Sequence, residues 1–373
     1  MPGIFDRLLD TVPEDTVRGG LLRPPLRALR RAWQETYWLP RDFIRATRYK
    51  FPRHLVYFGG RGFGDDLLLG TVLHELHVRG YRRLAVVSRL EEIFRHAPFA
   101  GTFINEDWAA LRAVKRFGGR TINPIYYAQM VPPDYDVPSA SHIITEMCRT
   151  SGLTGRVALR TYFYLTSDEK ARGRLVENQV VIQCTSAESL NFSPLKQWHQ
   201  ERYQAIVHAL RARVNFVQLG SAKDPLLDGA LDLRGKTTIR ESAAILAQSR
   251  ACVTYIGFLM HLARAVDCRA VIIFGGREHP DQAGYACNEN LFTPMPCAPC
   301  WRRSKSLHNL ECMDRISSTD AIAAIERILA KGNAPLELAY EMIPDHPTEF
   351  HLPWLDDPAL AQPMGSPQTH ATQ

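Results

Sequence analysis

An alternation that runs through the chain twice limits what it can fold into. Short apolar runs of strand length take turns with longer amphipathic runs of helix length. From His54 to about Leu165, HLVYFGG, RRLAVVS, TFINE and RTINPIY predict strands. DLLLGTVLHELHVRG, LEEIFRHAPFAG, DWAALRAVKRFGG and SASHIITEMCRTSG predict helices between them. Such a pattern builds a parallel sheet covered on both faces. The polar stretch TSDEKARGRLVEN (166–178) reads as a linker. The pattern then restarts with QVVIQCTS, VNFVQLGS, ACVTYIG and CRAVIIFGG as strands. PLKQWHQERYQAIVHALRAR, TTIRESAAILAQSR, FLMHLARAVD and STDAIAAIERILAKG are the matching helices. The expected organisation is a basic segment 1–53, a Rossmann-like α/β domain 54–165, the linker, a second Rossmann-like domain 179–332 and a disordered tail 333–373. Two such domains in tandem face a cleft between the carboxyl ends of their sheets.

The 373 residues, 45% apolar and 23% charged, exclude a wholly disordered chain and a coiled-coil rod. No apolar run approaches the length of a membrane-spanning helix. The start, MPGIFDRLLDTVPED, carries four acids and does not read as an export leader, so the expected compartment is the cytoplasm. The net charge of +6 is unevenly placed: Arg18 to Arg53 holds ten Arg or Lys against two acids. Leu26, Leu29, Trp33 and Tyr37 share one helical face there, and Arg27, Arg30 and Arg31 fall largely on the other, with Pro40 expected to interrupt the helix. The segment is either a solvated surface helix or a contact with something anionic, such as the inner face of a membrane. Charge confined to one segment argues against a nucleic-acid partner.

Four constellations could carry chemistry. Gly59-Gly60-Arg61-Gly62-Phe63-Gly64-Asp65-Asp66 follows a strand and opens a helix. Gly62 and Gly64 let backbone approach a ligand. One of the two carboxylates can cap the helix and the other can act as a base, the role expected of Asp65. The spacing is not that of a nicotinamide fingerprint. Thr185 and Ser186 end a strand and Lys196 lies near the next helix, a set suited to a diphosphate. Gly257 turns a strand into a helix that carries His261. Finally, Cys297-Ala-Pro-Cys300 is followed by Cys312, and Cys287 or His308 could complete four ligands for structural zinc or iron.

Taken together, GFGDDLLLGTVLHEL, KQW, the run from LDLRGKTTIRESAAILAQ to VIIFGG, and GY…CAPCW…CM resemble the ADP-heptose heptosyltransferases of glycosyltransferase family nine, over roughly residues 54–330. The resemblance implies a GT-B fold, with a nucleotide-sugar donor on the C-terminal domain and a glycan, lipid-linked or protein acceptor on the N-terminal one. It implies inverting transfer without a catalytic metal or cofactor. It aligns Asp65 with the general base, Lys196 with a diphosphate-binding lysine, Gly257 and His261 with a phosphate site, and Asp224 with an acid that meets the donor ribose. Some relatives carry an iron-binding cysteine finger, which the 297–312 cluster resembles. The family's Asp before the Gly turn is replaced here by Ile256. Two other readings remain: a non-catalytic nucleotide-sugar binding protein of the same shape, and a nicotinamide-dependent oxidoreductase.

Overall fold

The computed structural model describes residues 23–58, 62–99, 101–131, 135–184, 193–303 and 306–356, with side chains from Thr36 onward apart from 128–131. Helix α1 (Arg23–Arg48) precedes the first sheet. It continues through Pro40 instead of breaking there. The missing backbone hydrogen bond is offset by docking on the helix Ala109–Arg116, where the fully buried Asp42 takes Arg112 and Arg116.

The first lobe contains β1 (His54–Tyr57), α2 (Phe63–Val78), β2 (Leu84–Ser88), α3 (Glu91–Phe94), β3 (Thr102–Asn105), α4 (Ala109–Arg116) and β4 (Arg120–Ile122). Its four strands are parallel in the order β3-β2-β1-β4. α3 is one turn rather than the longer helix expected, because His96 takes a left-handed backbone and Pro98 follows. The sequence reading passed over an antiparallel hairpin, β5 (Tyr127–Val131) with β6 (Tyr135–Pro138). Helix α5 (Ile143–Thr150) and strand β7 (Gly155–Ala158) complete the lobe. α2 is buried nearly all round, Leu67 to Leu73 without a break, because it lies between its own sheet and the second lobe.

The stretch expected as a linker holds a short capped helix, α6 (Ser167–Arg172), whose Glu169 binds Arg240 of the second lobe at 2.6 Å. That lobe runs β8 (Gln179–Ile182), a 3-10 turn Pro194–Lys196, α7 (Gln200–Leu210), β9 (Asn215–Gln218), β10 (Leu231–Asp232), α8 (Ile239–Ala247), β11 (Ala251–Tyr255), α9 (Phe258–Ala265), β12 (Ala270–Gly275), α10 (Pro280–Ala283), β13 (Glu289–Phe292), α11 (Glu311–Asp314) and α12 (Ser318–Lys331). Its six strands are parallel in the order β10-β9-β8-β11-β12-β13. The long helix expected from Pro194 is two pieces, since the backbone is extended at Gln197 and His199. Lys196 therefore sits on a turn ahead of α7.

Residues 333–356 are not a tail. Strand β14 (Tyr340–Ile343) returns to the first lobe and pairs antiparallel with β7, Tyr340 opposite Ala158. Trp354 is buried, donates its indole N–H to the Cys300 carbonyl at 2.9 Å and meets the Tyr135 ring edge-on at 5.1 Å. A buried aromatic and a strand pairing hold this segment, and its average polarity hid both. Residues 357–373 lie outside the described part.

Candidate active site

The site is built where two glycine turns meet. Gly62 caps α2 in an extended conformation, and its N–H donates to Asp65 Oδ2 at 3.1 Å. Asp65 is therefore the capping carboxylate, but only through one oxygen. The other, Oδ1, accepts from the Tyr126 hydroxyl at 3.4 Å. Burial raises the Asp65 carboxyl above its ordinary range, against the Gly62 and Tyr126 hydrogen bonds and the Lys196 charge, which lower it. Asp66 turns the other way and accepts from Ser88 Oγ at 2.6 Å. Burial lifts it to about 6, with Ser88 and Arg89 pulling down and the charge of Asp65 pushing up. Arg89 also lines a cavity of about 620 Å³ with Arg48, Tyr49, Thr102, Asn105 and Asp107.

Across from Asp65, the second lobe presents Lys196, whose ammonium lies 2.9 Å from Glu278 Oε1. Glu278 stands just past the Gly275-Gly276 turn and is itself buried. Burial raises its carboxyl, yet Lys196 and the adjacent Arg277 outweigh that and hold it at about 2. Burial lowers the Lys196 ammonium, and Glu278 works against that shift. Both Lys196 and Glu278 act on Asp65, so the three charges share one neighbourhood.

His261 lies one turn into α9, buried, with Nδ1 2.6 Å from the Tyr285 hydroxyl. Burial lowers it to about 3, so the ring is neutral. A Cβ placed on Gly64 would lie 3.2 Å from the His261 ring and 3.6 Å from Phe258 Cα. The Phe63 and Phe258 rings meet edge-on at 5.5 Å. The starts of α2 and α9 therefore abut, each with the partial positive charge of a helix N-terminus. Gly257 caps α9, and a side chain there would press on the Tyr255 ring at 3.3 Å.

Other expected residues stand elsewhere. Asp224 is buried in the turn after β9, with its oxygens taken by Ser221 N at 3.1 Å and Ser221 Oγ at 2.5 Å, so it holds a turn. Thr185 and Ser186 lie outside the described residues. Ile256 is part of the apolar core. Cys297, Cys300, Cys312 and His308 line one small cavity against Gly276 and Arg277. Cys287 does not join them: the turn before β13 buries it beside Cys268, Arg264 and Arg269, its thiol 3.5 Å from Asn288 Oδ1. Burial raises the thiols of the trio, Cys297 to about 11, and the neighbouring cysteines add to the shift at Cys297 and Cys312. Among the described residues no group of three or more His, Cys, Asp or Glu is arranged to hold a metal ion.

Sequence reasoning missed Glu278, Arg277 and Tyr126. A signal existed for Glu278: an acid two residues past the Gly275-Gly276 pair that ends a parallel strand. Tyr126 sits in irregular chain before the hairpin, where no periodicity marks it.

Residues 150–311 match the profile of glycosyltransferase family 9 (heptosyltransferase). That stretch, less than half of the chain, is similar to the family 9 glycosyltransferases. A 121-residue segment is 31% identical to lipooligosaccharide heptosyltransferase 2 of Haemophilus influenzae, covering 29% of this chain and about a third (34%) of that relative's length. Among solved structures, the family 9 glycosyl transferase of Veillonella parvula superposes with a TM-score of 0.54 at 13% identity, over 75% of this chain and 98% of that one. ADP-heptose LPS heptosyltransferase II of E. coli gives 0.56 at 15%, over 75% and 100%. The dodecameric iron-containing glycosyltransferase TibC of enterotoxigenic E. coli gives 0.58 at 15%, over 75% and 77%. At these identities the likeness shows the fold, which is GT-B. The matched stretch runs from the last residue of α5 to the first of α11, and so includes Lys196, His261 and Glu278.

Proposed function

We propose that the protein transfers a sugar, heptose in the first instance, from an ADP-linked or other nucleoside-diphosphate donor to a hydroxyl of a glycan, lipopolysaccharide-core or protein acceptor, with inversion. The observation that carries this reading is the meeting of Asp65, from the first lobe, with Lys196, Glu278 and the α9 start, from the second. A proton acceptor and an anion-binding set then share one neighbourhood. The family 9 match and the named relatives support the same class of chemistry.

As the acceptor oxygen bonds to the anomeric carbon, its proton passes to Asp65 Oδ1. Burial makes that carboxylate a stronger base than an exposed aspartate, and Tyr126 orients it. Burial holds the Tyr126 hydroxyl well above its ordinary value, so it stays a donor. The bond from the anomeric carbon to the diphosphate breaks, and its electron pair leaves on the β-phosphate. Lys196, Arg277 and the N–H groups opening α9 meet that charge. Without a ligand, Glu278 pairs with both cations and keeps Lys196 in place.

The test is release of nucleoside diphosphate from ADP-, GDP-, UDP- and dTDP-sugars by the wild type and Asp65→Asn. The variant is expected to lose at least about a hundredfold in turnover, while the donor still raises its melting temperature. Near-normal turnover would remove Asp65 from the base role. A panel in which no nucleotide sugar raised the melting temperature would overturn the reading as a whole.

A further inference from the structure

Helix α1 lies ahead of the stretch that matches family 9 and plays no part in the chemistry above. One side of it is fixed to the first lobe. Asp42 is fully buried and accepts from Arg112 Nη2 at 2.8 Å, Arg112 Nε at 2.9 Å and Arg116 Nε at 3.1 Å. Ala46 and Tyr49 are buried on the same side, with the Tyr49 hydroxyl 3.0 Å from Asp107. These contacts set which way the rest of the helix points.

What points outward is apolar. Leu39 is 47% exposed, Phe43 53% and Ile44 65%, with Tyr37 beside them at 38%. At 100° per residue, Tyr37, Pro40, Phe43 and Ile44 form one stripe, directed away from the side that carries Asp42 and Ala46. Toward the end of the helix the Phe43, Phe51 and Phe117 rings pack edge-on at 5.7–5.8 Å, which extends the apolar surface onto the lobe. An amphipathic helix in a soluble protein buries its apolar stripe against the core; this one docks through a carboxylate and leaves the stripe uncovered.

The border of the stripe is cationic. Arg41, Arg48 and Lys50 are exposed, and the Arg41 guanidinium lies over the Tyr37 ring at 3.8 Å. Between Thr36 and Arg53 the only acid is Asp42, which is turned inward and paired, so the outward surface of that stretch carries no carboxylate. Among the described residues no helix is long and apolar enough to cross a membrane. A second copy of the chain is a poor occupant, because a self-complementary contact would press a segment of ten cations and two acids against itself.

We propose that α1 lies in the plane of an anionic bilayer surface, with Tyr37, Phe43 and Ile44 entering the acyl boundary and Arg41, Arg48 and Lys50 at the headgroups. The apolar stripe supplies burial and the cationic border supplies preference for anionic lipid. The first lobe, held on the inner side of the helix, is thereby seated on the surface. This inference stands apart from the transfer reaction and does not depend on it.

The experiment is cosedimentation of the full chain with extruded vesicles of phosphatidylcholine alone or with about 30% phosphatidylglycerol, at low and high salt. Wild type is expected to bind the anionic vesicles at least about tenfold more tightly than the neutral ones, and less tightly in high salt. The double variant Phe43→Glu/Ile44→Glu is expected to lose at least about tenfold on anionic vesicles. Ile44 is 65% exposed and stands outside the ring cluster that holds Phe43, so the single variant Ile44→Glu is expected to keep the wild-type melting temperature and still lose binding to anionic vesicles. Equal binding by variant and wild type, or no preference for anionic vesicles, would overturn the proposal. A concentration-dependent dimer that the double variant dissociates, with no vesicle binding, would assign the face to a second copy instead.

Discussion

Replacing Asp66 by Asn is expected to make the protein more stable at neutral pH, and the size of the gain follows from the site. The Asp66 carboxyl is lifted from an ordinary 3.8 to about 6, chiefly by burial. Each pH unit of displacement is worth about 1.4 kcal/mol, so the ionised side chain costs the fold up to about 3 kcal/mol. Some water still reaches it, which brings the expected figure nearer 2 kcal/mol. Asn keeps the oxygen that accepts from Ser88 Oγ and removes the charge. The sign is fixed by the raised value. Below about pH 4 the group is protonated in both folded and unfolded chains and costs nothing. As pH rises toward 6 the unfolded chain ionises first, and the wild type loses stability relative to the variant. Urea unfolding at pH 4, 5, 6 and 8 measures the difference, which is expected to grow from near zero to its full size by about pH 7. A gap that stays constant across this range, or a variant less stable than wild type at pH 8, would refute the reasoning. The charge of Asp65 also raises Asp66, and that coupling is reciprocal. The variant is therefore expected to move the acid limb of turnover to lower pH.

Asp42→Asn is expected to cost about 2 kcal/mol, less than for a wholly buried pair because the guanidiniums keep water contact; hydrogen exchange is expected to show α1 opening while the sheets stay protected. The arginines hold the Asp42 carboxyl below its ordinary value, against burial, so its contribution is present at neutral pH and is lost as pH falls through that lowered value. Gly173→Ala would set a Cβ 1.9 Å from the Ala244 carbonyl oxygen in α8, and a loss of about 3 kcal/mol or more is expected in thermal unfolding. An unchanged melting temperature would show that α6 and α8 can separate freely.

The sheets were readable because burial on both faces writes itself into continuous apolar strands such as VVI and AVIIF. Asp65, Lys196 and His261 were readable because each follows a glycine turn or precedes a helix. What escaped notice depends on contacts far apart in sequence. Tyr126 is 61 residues from the carboxylate it orients. Trp354 is 54 residues from the carbonyl it binds, so 333–356 looked like polar excess. Pro40 looked like a break, since local propensity carries no record of the Asp42 anchor. Cys287 fell within reach of a metal site by count along the chain and outside it by the path of the turn before β13.

The return of β14 to β7 means that the backbone passes between the lobes in two places, once ahead of β8 and again after α12. A lobe tethered at one point can twist and tilt freely; one tethered at two can swing only about the line that joins them. Relative motion of the lobes is thus steered toward one hinge axis, the line through those two crossings. Cutting the chain between α12 and β14 would leave both lobes folded and release that swing into a loose pivot.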